Sequence, residues 1–180
     1  MRLGLYVCHA GVAAAAGHVV YDVAADAAHV GPRAVAGPAL VWRLDPDGAE
    51  PPGALLSCPV RLAPGDGWLL RCDRVDFPPG GIAHTHVHPG PGIRYLLHGR
   101  LTVKSPGHVA VYGPGEAWFE AGPEPVEATA GPADTAFVRV LLLPREWAGK
   151  RTIRYVDPAD AERPRRQRVT VYLEREVGGA

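Results

Sequence analysis

Hydrophobic and polar positions are organised differently in the two halves of this chain. From Cys58 onward, short apolar runs recur at close intervals, over residues 60–63, 68–75, 82–88, 93–97, 100–103, 109–112 and 137–143. Glycine- and proline-rich punctuation separates them, at residues 64–67, 78–81, 89–92, 98–99, 105–107, 113–115 and 131–132. Runs this short, each bounded by turn residues, predict an all-β sandwich or barrel. Two further strands are expected over 152–156 and 168–173, joined by the polar segment 157–167. Residues 1–56 are less regular. Short strands are expected over 3–7 and 39–44, with strong turn signals at 45–48 and 51–53. Residues 24–29 could form a helical turn, which Gly31-Pro32 and Gly37-Pro38 prevent from extending. The expected organisation is an N-terminal arm or set of extra strands (1–56), a barrel (57–144), and a C-terminal extension with additional strands (145–180).

Composition narrows the partners. The 180 residues carry a formal net charge of +0, so no global field draws the chain to nucleic acid or to an acidic membrane. No apolar stretch approaches the roughly 20 residues of a membrane span. The first apolar run is short and interrupted by His9, which argues against a signal peptide, so a cytoplasmic location is expected. Cys8, Cys58 and Cys72 share no close spacing and read as ordinary thiols, neither a disulfide framework nor a zinc knuckle. All but two of the nineteen basic residues are arginine, a bias that together with abundant Ala, Gly and Pro suggests a GC-rich bacterial genome. The basic cluster Arg163, Arg165, Arg166 and Arg168 reads as a solvated loop. His9, His18 and His29 stand singly and read as surface residues.

The chemistry concentrates in His84-Thr85-His86-Val87-His88, followed by Pro89-Gly90-Pro91-Gly92. Side chains alternate along a strand, so 84, 86 and 88 are expected on one face. Imidazole is the commonest ligand for transition metals and titrates near neutrality, so this is a metal or acid–base site or an unusually polar edge strand. On a straight strand residues i and i+4 lie about 13 Å apart at Cα, so gathering all three rings on one ion needs a bulge. Arg94 should point inward, where its fixed charge needs an anion: Glu116, Glu120 or a bound carboxylate. Trp118 and Phe119 should face opposite ways, one into the core and the other toward the mouth of a pocket.

The spacing of these residues resembles the cupin superfamily. Its first motif runs Gly, five residues, His-x-His, three or four residues, Glu, six residues, Gly. Here Gly80, His86, His88, Gly92 and Gly99 fall at those positions, with Gly92 where the motif has Glu. The second motif runs Gly, five residues, Pro-x-Gly, two residues, His, three residues, Asn. Taken from Gly115, it places Ala121, Pro123, Val126 and Ala130 at its remaining positions. The resemblance covers about residues 69–143. It implies a cupin-like antiparallel barrel, a double-sheet jelly roll, with His86 and His88 at the metal-binding positions and two of the usual four ligands missing.

Three functions are compatible with this pattern. One is a dioxygenase-like, metal-dependent enzyme in which His86 and His88 hold Fe, Mn, Ni or Zn. There His84 would serve as third ligand or acid–base group, and Arg94, Trp118 and Glu120 would contact a small organic substrate. A second is a non-catalytic protein that binds or senses a small molecule in a degraded metal site. The third is a structural barrel that only mediates dimerisation. A homodimer is expected in each case, because open sheet edges need covering.

Overall fold

The structure is a computed structural model that describes residues 1–46, 52–61, 67–164 and 166–177. The chain divides into two compact units, Met1–Gly65 and Asp66–Ala180. The first holds β1 (Arg2–Cys8), β2 (Val12–Ala14), β3 (Val19–Asp22), β4 (Ala27–Val30), β5 (Arg33–Val35), β6 (Ala39–Asp45) and β7 (Leu56–Pro59). Five of these form one sheet in the order β4-β3-β6-β1-β7, while β2 pairs with β5. Tyr6, Val20, Val35, Ala39 and Val41 make up much of a core within this unit.

Two expectations are corrected here. Residues 24–29 form no helical turn. Asp22 Oδ1 accepts bonds from the backbone N–H of Ala24 and Ala25, and Asp26 sits at φ 48°. The chain therefore turns tightly and returns as β4 against β3. Nor is there a strand at Val60 or Arg61: the pairing segment is β7, whose Leu56–Pro59 lie against β1. The rest of that expected run, the turns expected at 47–48 and 51, the punctuation at 64–66, and Arg165 of the basic cluster lie outside the described residues.

The second unit holds β8 (Trp68–Phe77), β9 (Ile82–Val87), β10 (Gly92–His98), β11 (Leu101–Ser105), β12 (His108–Tyr112) and β13 (Ala117–Glu120). It continues through β14 (Val126–Ala130), β15 (Thr135–Pro144), β16 (Arg154–Tyr155) and β17 (Arg168–Val177). One sheet runs β13-β10-β15-β8-β17 and the other β12-β11-β14-β9-β16. The C-terminal strands β16 and β17 thus close one edge of each sheet. The sheets meet through Val75, Phe77, Leu96, Trp118 and Phe137 from one and Ala83, Leu101, Val103 and Ala130 from the other. The strands send alternate residues inward except where a bulge interrupts the register, as in β9, in keeping with a double-sheet jelly roll. Gly99, the motif's last glycine, turns at φ +83° with Thr135 Oγ1 only 2.3 Å from where a Cβ would sit. Only glycine fits between β10 and β11 at that point.

Candidate metal and ligand site

One row of paired residues crosses the first sheet beneath the site. Trp118 on β13 pairs with Arg94 on β10, Arg94 with Arg139 on β15, and Arg139 with Asp73 on β8. All four side chains are buried. Each buried cation has an anion. Arg139 Nε donates to Asp73 Oδ1 at 2.6 Å, and Arg94 Nη2 lies 2.7 Å from Glu120 Oε2. Unpaired, either guanidinium would carry a heavy desolvation cost. Burial opposed by Glu120 still pulls the Arg94 pKa down to about 10, which leaves it charged at neutral pH.

From the facing sheet, β9 delivers the histidines. Its pairing with β14 slips: Val126 opposes His86, but Ala128 opposes Ala83, so two steps on β14 span three on β9. This bulge sends both Ala83 and His86 inward, leaving them 3% and 4% exposed. His88, just past the strand, is buried beside His86. The expectation that His84 shares their face is corrected by the same bulge, which reverses the parity between 84 and 86. His84 instead lies part-exposed on the other side, with Nδ1 4.0 Å from Asp160 Oδ1.

The two buried rings are oriented from behind. His86 Nδ1 bonds the His84 carbonyl at 2.7 Å and His88 Nδ1 bonds the Thr152 carbonyl at 2.8 Å. A carbonyl only accepts, so both Nδ1 atoms carry the proton and both Nε2 atoms present lone pairs. Those lone pairs face each other at 3.2 Å. Protonation of either ring would relieve the clash, yet burial lowers the pKa of His86, and burial with Arg139 and Arg94 lowers that of His88 well below the ordinary range.

Glu120 completes the constellation. Its Oε1 accepts from Trp118 Nε1 at 2.8 Å, and its Oε2 lies 3.5 Å from His88 Nε2. Oε2 meets Arg94 as an ion pair without an aligned hydrogen bond, so it is a buried carboxylate oxygen with unused acceptor capacity. As these side chains stand, no group of three or more His, Cys, Asp or Glu among the described residues is disposed to hold a metal ion. Of the six residues singled out from sequence, five converge here: His86, His88, Arg94, Trp118 and Glu120. His84 does not. Glu116, the other candidate carboxylate, accepts from the Gly113 N–H and is tied into its own turn.

Val126, at the second motif's histidine position, is buried and pairs with His86, so an apolar side chain occupies that fourth position. Phe119 is part-exposed, whereas Trp118 stacks on Tyr112 and joins the core. Sequence reasoning missed Arg139, Asp73 and Thr152. Arg139 had a signal, as the single charge in the run 137–143; Asp73, one of three charges in 68–75, and Thr152 had none. His98 and His108 are exposed, and Cys72 is buried with its thiol pKa driven well up by desolvation. Among the described residues no helix is long and apolar enough to cross a membrane.

No protein-family model and no curated protein matches the chain. Several solved structures do. A Rhizobium leguminosarum protein of unknown function is 25% identical, over 37% of this chain and 62% of its own, with a TM-score of 0.34. An RmlC-like cupin from Shewanella frigidimarina is 21% identical over 43% and 68%, TM-score 0.39. The polyketide cyclase RemF from Streptomyces resistomycificus is 26% identical over 52% and 63%, TM-score 0.40. The chain thus spans less than two thirds of the first and third of these. By its own sheet order the second unit, Asp66–Ala180, is an antiparallel double-sheet barrel, and the spacing of Gly80, His86, His88 and Gly99 within it resembles the first cupin motif.

Proposed function

We propose that the second unit is a metal-dependent enzyme acting on a small organic molecule, with one divalent transition ion (Fe, Mn, Ni or Zn) held by His86, His88 and Glu120. The observation that carries this reading is the pair of Nε2 lone pairs facing at 3.2 Å, each fixed by a backbone carbonyl behind its ring. Two acceptors held that close in a buried space call for a cation between or beside them. With Oε2 of Glu120, which keeps acceptor capacity beside its ion pair with Arg94, they make a two-histidine, one-carboxylate set, the kind used by non-haem iron oxygenases. When bound, the ion would supply Lewis acidity.

The chain's own residues supply the rest. His84 and Thr152 carbonyls hold the rings in the ligating tautomer. Trp118 Nε1 holds one Glu120 oxygen and leaves the other to turn toward His88. Arg94 balances the charge of the carboxylate, and Val126 and Trp118 keep the surroundings dry. Elemental analysis of protein purified without an affinity tag tests the reading, with close to one equivalent of metal expected. The double change His86→Ala and His88→Ala should remove it with the fold retained by circular dichroism. Glu120→Gln should weaken metal affinity by more than about tenfold, the lower bound seen for losing even an outer partner. Metal retained in the double variant would refute the assignment.

A further inference from the structure

The chamber around His86, His88 and Glu120 measures about 30 Å³. A water needs roughly 10–15 Å³ by this kind of measure, so an ion and a water fit but an organic molecule does not. Beside the chamber, between residues 149–153 and strand β17, lies a cleft of about 310 Å³. That is the lower end of the range for small-molecule pockets. Arg139, Ile153, Gln167 and Val169 line both spaces, so the cleft and the chamber share a wall.

The cleft has a distinct chemical character. Arg71, Arg139, Lys150 and Arg151 line it, and among the described residues no carboxylate does. Two of these cations are already matched: Arg71 by Glu174 and the carbonyls of Trp147 and Lys150, Arg139 by Asp73. Lys150 and Arg151 make no ion pair among the described residues and are exposed. Opposite them, Val169 and Val171 are 44% and 50% exposed on β17, with Ile153 beside them. Solvated valines on one wall and unmatched cations on the other suit a ligand with an apolar body and an anionic end. Thr152 joins cleft to chamber: it sits between Arg151 and Ile153, receives Arg139 Nη2 on its hydroxyl at 3.2 Å, and offers its carbonyl to His88.

We propose that this cleft is a binding site for an organic anion with an apolar body, its charge met by Lys150 and Arg151 and its body lying on Ile153, Val169 and Val171. That the site presents such a molecule to the histidine chamber rests on the metal-enzyme reading above; that it binds one does not.

Titration of the full-length, ¹⁵N-labelled protein with 2-naphthoate, 2-naphthamide and acetate separates the two. Naphthoate should shift the amides of residues 149–153 and 167–171 and bind about tenfold or more tighter than the neutral amide, weakening as salt is raised. Acetate, without an apolar body, should leave them unmoved. Lys150→Glu with Arg151→Glu should abolish naphthoate binding with metal content unchanged. His86→Ala with His88→Ala should do the reverse. Equal binding of amide and carboxylate, naphthoate binding that survives the charge reversal, or no shift at millimolar naphthoate would each overturn the cleft assignment. Naphthoate binding by the unaltered protein, with no metal taken up by that same protein, would overturn the enzyme reading and leave the cleft standing.

Discussion

Where the first cupin motif carries glutamate, a Cβ on Gly92 would lie 2.5 Å from Leu141 Cδ2 and 2.6 Å from the Val140 carbonyl, so no side chain fits there. The carboxylate of this site comes instead from Glu120, the residue paired with Gly92 across the β10–β13 ladder. One strand's loss of a side chain is answered by its neighbour. The histidines are held neutral by the same surroundings, and this has a consequence for stability. Burial depresses both folded pKa values below the ordinary 6.5. Below about pH 6.5 the unfolded chain therefore binds protons that the folded chain refuses. Their contribution is present in full above that pH and is lost as pH falls toward the depressed folded values. Metal-free protein should show a lower Tm at pH 5.5 than at 7.5, and the drop should shrink when both rings are changed to glutamine. An unchanged difference in that variant would mean that the rings are not the source.

At the scale of elements, β15 shows why some of the site was legible and some not. The run 137–143 reads plainly as a strand, and every residue from Thr135 to Leu143 is buried. Arg139 interrupts it because Asp73 waits opposite on β8, and a pairing between strands 66 residues apart leaves no local mark. Removing the anion should be costly. Asp73→Ala leaves Arg139 buried without its partner and should destabilise by about 3–5 kcal/mol, read by urea unfolding. A loss under about 1 kcal/mol would show that water reaches the pair. Strands β13 and β14 went unread for a related reason: Ala117–Glu120 and Val126–Ala130 are short and mixed, and gain strand character from Gly92–Tyr95 and from β9 and β11 beside them. On the sequence alone, a bulge in β9 is what would gather three histidines on one ion. It exists, but an inserted residue changes parity, so it separates His84 from the other two. What the sequence did show, the His86–His88 pair and the inward Arg94, depended on strand alternation and motif spacing alone.

For the molecule as a whole, the candidate site ties β9, β10, β13 and the segment carrying Thr152 to a single point between two sheets. Asp73, Arg139 and Thr152 extend that connection to β8 and β15 at the centre of the first sheet. Anything that binds there binds the folded form alone, because the unfolded chain cannot bring His86, His88 and Glu120 together with Thr152 behind them. The linkage has a definite size. Free metal at a hundred times its Kd adds about 2.7 kcal/mol, which for a chain of this length raises Tm by about 5–10 °C. Calorimetry at pH 7.5 with Mn²⁺ or Zn²⁺ against chelator should show such a rise. It should be absent in His88→Ala, and reduced at pH 5.5, where protons compete for the ring nitrogens. Hydrogen exchange should place the added protection on β8, β9, β10 and β15. Protection gained instead in Met1–Gly65, or a rise that persists in His88→Ala, would show that the ion binds somewhere other than between these two histidines.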